Sequence, residues 1–91
     1  MSPLKFSDTS FSKEALDDFM NWVVLNNKIK KRVDELIKDI HRNGLNKGIG
    51  KPERLKYSKN YSRRIDEENR LVYRVEEGAL YIVSCKGHYE E

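Results

Sequence analysis

The spacing of apolar residues changes once along the chain, near Pro52, and this change constrains the fold more than any other feature. Before it, apolar residues recur every three or four positions, which is the period of a helix with one buried face. After it, they recur at every second position, which is the period of half-buried β-strands. Helices followed by consecutive strands predict an α+β fold, in which two N-terminal helices pack on a mainly antiparallel sheet.

Two helices are predicted before the change of period. The first is capped by Ser12 and should end near Asn26 and Asn27. Its helically spaced apolar residues are Leu16, Phe19, Met20 and Val23. The second helix follows directly and should end at Asn43 and Gly44, because both residue types tolerate the left-handed conformation found at helix ends. Its apolar stripe consists of Ile29, Val33, Leu36, Ile37 and Ile40.

Consecutive antiparallel strands are predicted after the connector formed by residues 43–52. Their period-two positions are Tyr61, Arg63 and Ile65, then Leu71, Tyr73 and Val75, then Leu80 and Ile82. In the last strand, Tyr81, Val83 and Cys85 make the opposite face apolar as well, so this strand should lie inside the sheet rather than at its edge. The weaker pattern of residues 4–11 allows one further short strand.

The length and composition are those of one domain spanning residues 1–91. Hydrophobic residues make up 37% and charged residues 36%, enough apolar material for a single core under a charged surface. The lone cysteine, Cys85, cannot form an internal disulfide and is expected to pack in its strand, which fits a reducing compartment. No apolar run approaches the roughly 18 residues of a membrane helix, and residues 1–6 lack the hydrophobic stretch of a signal peptide, so we expect a cytoplasmic protein.

Positive charge is concentrated in residues 47–64. The whole chain has 18 Lys and Arg against 15 Asp and Glu, and this net charge of +3 does not by itself indicate nucleic-acid binding. Residues 47–64, however, hold seven basic residues and one acid, Glu53, interrupted by Tyr57 and Tyr61. Phosphate-binding charge mixed with rings that stack on bases is typical of RNA recognition, and Lys51 and Arg63 are candidate RNA contacts.

Three polar residues are candidates to surround one phosphate: Glu53 after the connector, Arg70 at the start of a strand, and His88 near the C-terminus. In an antiparallel meander the start of one strand lies beside the end of the next, so Arg70 and residues 87–89 should share one end of the sheet. In RNA cleavage without a metal, a carboxylate takes the proton of the ribose 2′-hydroxyl, an imidazolium protonates the leaving 5′-oxygen, and a guanidinium stabilises charge on the phosphate. Tyr89 could stack on a base or hold the phosphate.

Each candidate also has an ordinary interpretation. Glu53 could be a solvated loop carboxylate, Arg70 a surface arginine and His88 an exposed terminal side chain. The cations of the second helix alternate with acids that can pair with them at i,i+4, as on a solvated helix face. His41, on the polar side of that helix, is interpreted as a surface residue. The two histidines and the cysteine lack the spacing of metal ligands, so neither a metal nor another cofactor is predicted.

Six short motifs from Gly50 onward, together with Trp22 and residues 34–39 of the second helix, form a recognisable set. The motifs are Gly50-Lys51-Pro52-Glu53, Leu55-Lys56, Ser62-Arg63-Arg64-Ile65, Glu67-Glu68, Arg70-Leu71-Val72-Tyr73 and His88-Tyr89. In this order they resemble the Txe/YoeB toxins of the RelE/ParE superfamily, over residues 12–89. The resemblance implies a RelE-like microbial ribonuclease fold and a metal-independent endoribonuclease, an mRNA interferase that cuts mRNA in the ribosomal A site and so inhibits translation.

The resemblance also implies roles for individual residues. Glu53 matches the family's general base, His88 its general acid and Arg70 the arginine that stabilises the phosphate. Tyr89 matches a tyrosine that orients the substrate. The positions associated with binding the RNA backbone are matched by Lys56 and Arg64.

The resemblance further implies particular partners. The substrate would be mRNA on the 70S ribosome, and a YefM- or Axe-like antitoxin would neutralise the toxin with a disordered tail that wraps around it. Operator DNA would be bound only through the antitoxin, and a homodimer is possible. The chain departs from the family pattern at Tyr61, where a tryptophan is common, at Asn69, where a histidine is frequent, and at Glu90 and Glu91, which extend the C-terminus.

Two other functions remain open from the sequence. A ParE-like toxin would share the fold but inhibit DNA gyrase without any chemistry of its own. A degenerate toxin would survive as a corepressor that acts with its antitoxin on promoter DNA. Neither of them needs the set of Glu53, Arg70 and His88.

Overall fold

The computed structural model describes residues 8–87, which form a five-stranded sheet with two helices packed on one face. In chain order the elements are β1 (Thr9–Phe11), α1 (Lys13–Leu25), α2 (Asn27–Asn43), β2 (Glu53–Arg54), β3 (Tyr61–Arg64), β4 (Arg70–Glu76) and β5 (Ala79–Ser84). The order in the sheet is β1-β5-β4-β3-β2. The predicted α+β class with two N-terminal helices is confirmed.

The sheet is mixed, because β1 runs parallel to β5 while the other three pairings are antiparallel. The short strand that the sequence allowed within residues 4–11 is therefore present, and it covers the outer edge of β5. The central position predicted for β5 is confirmed, since β5 lies between β1 and β4. Cys85, directly after β5, is buried as predicted, and burial raises the pKa of its thiol to about 12.

The first helix begins at the predicted cap, Ser12, and the second begins at Asn26, near which the first helix was predicted to end. The Ser12 hydroxyl accepts a hydrogen bond from the Ala15 N–H at 2.9 Å and opens α1. The Asn26 side chain accepts one from the Ile29 N–H at 3.2 Å and opens α2. Gly44 ends α2 with a positive φ of 98°. The boundaries of both helices thus follow from local side-chain chemistry.

The apolar stripe predicted for α1 is only partly correct. Leu16, Met20 and Val23 are exposed, and of the predicted residues only Phe19 packs against the core. The inward face is set instead by the fully buried Ala15 and by Trp22, whose indole N–H donates to the Cys85 carbonyl at 2.8 Å. The buried side of α1 therefore consists of Ala15, Phe19 and Trp22. For α2 the prediction holds: the fully buried residues of its stripe are Val33, Leu36 and Ile40.

The two faces of the sheet have different roles. Residues paired across neighbouring strands point to the same face. Leu71, which pairs with Arg63, and Tyr73, which pairs with Tyr61, belong to the buried cluster under the helices. Ser62 lies on the opposite, outer face, together with its two partners in the neighbouring strands. Within the described part of the chain, neither helix is long and apolar enough to cross a membrane.

Candidate active site

Two of the predicted site residues meet on the outer face of the sheet. Arg70 Nη2 donates a hydrogen bond to Glu53 Oε1 at 3.0 Å, although the two residues come from β4 and β2, which are separated by β3. The Arg70 side chain is 14% exposed and that of Glu53 is 60% exposed. The pair therefore holds a fixed guanidinium next to a carboxylate that faces solvent.

Ser62 of β3 fixes the direction of the Arg70 side chain. It pairs with Glu53 in β2 and with Val72 in β4, so it lies between the two halves of the ion pair. Its hydroxyl is fully buried and accepts a hydrogen bond from Arg70 Nε at 3.1 Å. Arg70 thus donates from Nε and from Nη2, and among residues 8–87 no hydrogen bond is found for Nη1.

The C-terminal segment comes to the same end of the sheet. The Arg70 backbone N–H donates to the Gly87 carbonyl at 3.1 Å, so Gly87 lies at the start of β4, as predicted. His88 and Tyr89, the predicted general acid and substrate-orienting residue, lie outside the described residues. Their roles stay predictions.

Arg63, predicted as an RNA contact, is instead a buried structural residue. Its side chain is fully buried, and Nη1 pairs with the Asp39 carboxylate at 2.5 Å. Nε donates to the Tyr73 hydroxyl at 3.0 Å. The remaining hydrogen bonds of the guanidinium go to the carbonyls of Gly44, Lys47 and Ile49. The side chain has no surface left for RNA, because β3 alternates and places Arg63 on the inner face.

These hydrogen bonds hold the connector between α2 and β2 in place. Burial raises the pKa of Asp39, but hydrogen bonds from Arg63, the Ile49 N–H and Asn43 outweigh burial and leave that pKa below its ordinary value. The carboxylate is therefore retained as an anion that binds both Arg63 and the connector backbone. Tyr73 adds a hydrogen bond from its hydroxyl to the Leu45 carbonyl at 2.6 Å.

Two glycines let the connector approach this cluster closely. A Cβ on Gly48 would lie 1.9 Å from the Asp39 carboxylate, and one on Gly50 would lie 2.8 Å from a Leu36 methyl group. Both glycines also have positive φ angles, of 116° and 80°. In addition, the Gly50 carbonyl accepts a hydrogen bond from the Arg64 N–H at 2.6 Å. The connector thus joins the edge of β3 immediately before the Pro52-Glu53 pair.

The other predicted RNA contacts are exposed. Lys51, Lys56 and Arg64 all lie at the surface, and Lys56 Nζ is 6.0 Å from the centre of the exposed Tyr57 ring. The RNA-binding role of these residues stays a prediction. On α2, ion pairs of Lys30 with Asp34 and of Arg32 with Glu35 fit the solvated helix face that was considered in the sequence.

Two features of the site were not found from the sequence. Ser62 lies between Tyr61 and Arg63 in an alternating strand, and this position puts it on the opposite face from Arg63. Asp39 stands one residue before Ile40 on the buried side of α2, and this position is the signal that separates it from the exposed acids of the helix. Among residues 8–87, no group of three or more His, Cys, Asp or Glu side chains is arranged to bind a metal ion.

Comparison with known proteins supports the resemblance found in the sequence. The family model described as "YoeB-like toxin of bacterial type II toxin-antitoxin system" matches residues 11–89. The chain is 44% identical to Toxin YoeB of Escherichia coli K12 over 81 residues, which cover 87% of this chain and 95% of that protein.

Solved structures give the same result for the fold. A YoeB–YefM complex from Staphylococcus aureus contains a chain that is 47% identical, with a TM-score of 0.83, over 89% of this chain and 95% of that one. A YoeB dimer from the same organism is 45% identical, with a TM-score of 0.85, over 90% of this chain and 97% of that one. The helices and the sheet are therefore arranged as in these toxins.

Proposed function

The chain belongs to the YoeB-like toxins of bacterial type II toxin–antitoxin systems, and we propose that it inhibits translation as a metal-independent endoribonuclease that cuts mRNA in the A site of the ribosome. The observation that carries this proposal is the 3.0 Å pair of Glu53 and Arg70 on the open face of the sheet. A base and a phosphate-binding cation held side by side are two of the three groups that the reaction needs.

In the proposed reaction, the Glu53 carboxylate takes the proton from the ribose 2′-hydroxyl, and the 2′-oxygen attacks the adjacent phosphorus. The bond from phosphorus to the 5′-oxygen breaks, and His88 gives its proton to that oxygen. The products are a 2′,3′-cyclic phosphate and a free 5′-hydroxyl. Arg70 stabilises the additional negative charge on the phosphate oxygens through Nη1, while Nη2 keeps its hydrogen bond to Glu53.

The exposed cations near the pair would hold the RNA backbone. Lys51, Lys56 and Arg64 lie in the segment from the connector to the end of β3, and the exposed Tyr57 in the same segment offers a ring for base stacking. Arg63 is not part of this set, because its guanidinium is used inside the protein. We therefore propose a groove with three lysine or arginine contacts beside the Glu53–Arg70 pair.

The partners are proposed from the relatives. Because a YoeB toxin of S. aureus forms a complex with YefM and another forms a dimer, we propose that this chain binds a YefM-like antitoxin and forms a homodimer. An acidic antitoxin segment lying over Glu53 and Arg70 would exclude mRNA. Operator DNA would then be bound through the antitoxin, and the toxin would act on ribosomes in the cytoplasm.

Primer-extension mapping of mRNA on translating ribosomes tests the proposal. The purified protein should produce cuts in the A-site codon, and Glu53→Gln and His88→Gln should each slow cleavage by about 10² to 10⁴-fold, because each removes one proton-transfer group. Glu35→Gln is the matched control, since Glu35 is an exposed glutamate on α2 that pairs with Arg32 on the same helix. Undiminished cutting by both site variants would refute the mechanism. Inhibition of gyrase supercoiling with no RNA cut would favour the ParE-like alternative.

A further inference from the structure

The last described residue, Gly87, is hydrogen-bonded through both of its backbone polar groups to two consecutive residues at the start of β4. Its N–H donates to the Asn69 side-chain oxygen at 2.8 Å. Its carbonyl accepts from the Arg70 N–H at 3.1 Å. Arg70 also carries the guanidinium of the proposed site. Gly87 is therefore bound directly to the residue whose side chain would bind the phosphate, and to the residue before it.

Asn69 is itself held in one orientation by the turn between β3 and β4. Its amide nitrogen donates to both oxygens of Asp66, at 3.1 and 3.3 Å, and its backbone N–H donates to the same carboxylate at 2.7 Å. The Ile65 N–H donates to the Asn69 carbonyl at 2.9 Å. A carboxylate accepts hydrogen bonds and does not donate them, so the amide nitrogen must face Asp66 and the amide oxygen must face Gly87.

The tail is also fixed two residues upstream. The Cys85 carbonyl accepts the Trp22 indole N–H at 2.8 Å, and the Cys85 N–H donates to the Asp18 carboxylate at 3.4 Å. Between Cys85 and Gly87 the chain is therefore held first by α1 and then by the turn before β4. Gly87 has a φ of 78°, a conformation that glycine adopts without strain. These contacts thus hold the backbone from Cys85 to Gly87 in place.

We propose that Asn69 is a positioning residue that acts through the Gly87 backbone on His88, the next residue in the chain. This inference rests on the proposed function, in which His88 protonates the leaving 5′-oxygen. A general acid must lie within hydrogen-bond reach of that oxygen, and a displacement of about 1 Å can cost about 10²-fold in rate. Asn69 holds Gly87, the residue before His88, and is itself anchored by three hydrogen bonds to Asp66.

The test uses Asn69→Ala and Asn69→Asp in single-turnover cleavage on programmed ribosomes. Alanine removes the acceptor for the Gly87 N–H. Aspartate keeps an acceptor but places a second carboxylate against Asp66 and loses the amide donor. We expect the cleavage rate to fall by about 10-fold or more in both variants, with an unchanged half-saturating ribosome concentration. Asn21→Ala is the control, since Asn21 is exposed on α1 and far from the turn in sequence.

A double-mutant cycle with His88→Gln separates positioning from a structural effect. If Asn69 acts through His88, Asn69→Ala should slow cleavage by about 10-fold in the wild-type background but by less than about twofold in the His88→Gln background. Equal slowing in both backgrounds would overturn the proposal, because a general loss of structure affects both. Unchanged cleavage in the Asn69→Ala variant would overturn it as well.

A measurement without RNA distinguishes failure of this proposal from failure of the proposed function. In the free protein, hydrogen exchange of the Gly87 amide should be faster in Asn69→Ala than in the wild type, and the His88 ring resonances should shift. If both changes occur but His88→Gln cuts mRNA at the wild-type rate, the acid role of His88 is wrong and the positioning role falls with it. If neither changes while His88→Gln is slow, only the role of Asn69 is wrong.

Discussion

Arg63 and Arg70 lie on opposite faces of one sheet, and each pairs with a carboxylate, but the two pairs differ in exposure and in what else the guanidinium binds. Arg63 and Asp39 are 0% and 9% exposed, and Arg63 also donates to three connector carbonyls and a tyrosine hydroxyl. Arg70 and Glu53 are 14% and 60% exposed, and Arg70 shares its guanidinium with a single serine. These hydrogen bonds of Arg63 are all made inside the protein, whereas Arg70 lies next to a carboxylate that is exposed to solvent.

The difference shows how one residue type serves two purposes in this fold. A buried charge is tolerated only when it is paired and hydrogen-bonded. Arg63 meets this condition, because it pairs with Asp39 and donates hydrogen bonds to three carbonyls of the connector. The connector in turn carries Glu53 to the edge of β3. The buried pair of Arg63 and Asp39 therefore fixes the connector that positions the exposed pair of Arg70 and Glu53. Substitutions in the two pairs should have different effects.

The largest effect is expected at the buried pair. Arg63→Met should lower the free energy of unfolding by about 3 to 5 kcal/mol, because it leaves the Asp39 carboxylate buried without its charge partner. The connector carbonyls also lose their donors. Urea denaturation followed by far-UV circular dichroism measures this loss. For a chain of 91 residues such a loss is a large part of the total stability, so the variant is measured in a stabilising osmolyte.

Arg64→Met is the control for that prediction. Arg64 is the next residue in β3 and carries the same side chain, but it is exposed on the outer face. Its substitution should change the unfolding free energy by no more than about 0.5 kcal/mol. Equal losses from both variants would mean that burial and pairing do not distinguish the two arginines.

The neighbouring arginines also show how far sequence reasoning reaches in this chain. Helix ends at Ser12, Asn26 and Gly44 follow from local chemistry, and the central place of β5 follows from its two apolar faces, so these features could be predicted. The inner face of β3 could also be assigned to Arg63, because Arg63 alternates with Tyr61 and Ile65. Its full burial could not be predicted, since it depends on hydrogen bonds to Asp39 and to the connector, which are contacts between distant parts of the chain.

The site was predictable for similar reasons, and only in part. The meeting of Glu53 with Arg70 could be anticipated from the chemistry that the two residues would share. The route of the connector could not, because it depends on hydrogen bonds to Asp39 and on glycines that approach within van der Waals contact of α2. The prediction for the α1 stripe was only partly correct for a tertiary reason as well, since the buried side includes Trp22, which donates a hydrogen bond to the distant Cys85 carbonyl.

The next effect in size is expected at the exposed pair, and it concerns activity rather than stability. Arg70→Lys keeps the charge but loses the planar guanidinium, which donates to Ser62 and to Glu53 at the same time. The rate of A-site cleavage should therefore fall by about 10² to 10³-fold. The unfolding free energy should change by less than about 1 kcal/mol, because the ion pair is largely exposed on the Glu53 side. Single-turnover cleavage and urea denaturation of the same preparation measure both quantities. A variant that unfolds like the wild type and also cuts like it would remove Arg70 from the mechanism.

The smallest effect is expected at Ser62, the residue that orients the exposed pair. Ser62→Ala removes the acceptor for Arg70 Nε but leaves the charge and the hydrogen bond to Glu53, so cleavage should fall by about 10-fold, roughly the value of one hydrogen bond to a charged group. Lysine has no counterpart of Nε, so Ser62→Ala should have almost no further effect in the Arg70→Lys background. Full additivity of the two substitutions would show that the serine acts on cleavage by some route other than the guanidinium.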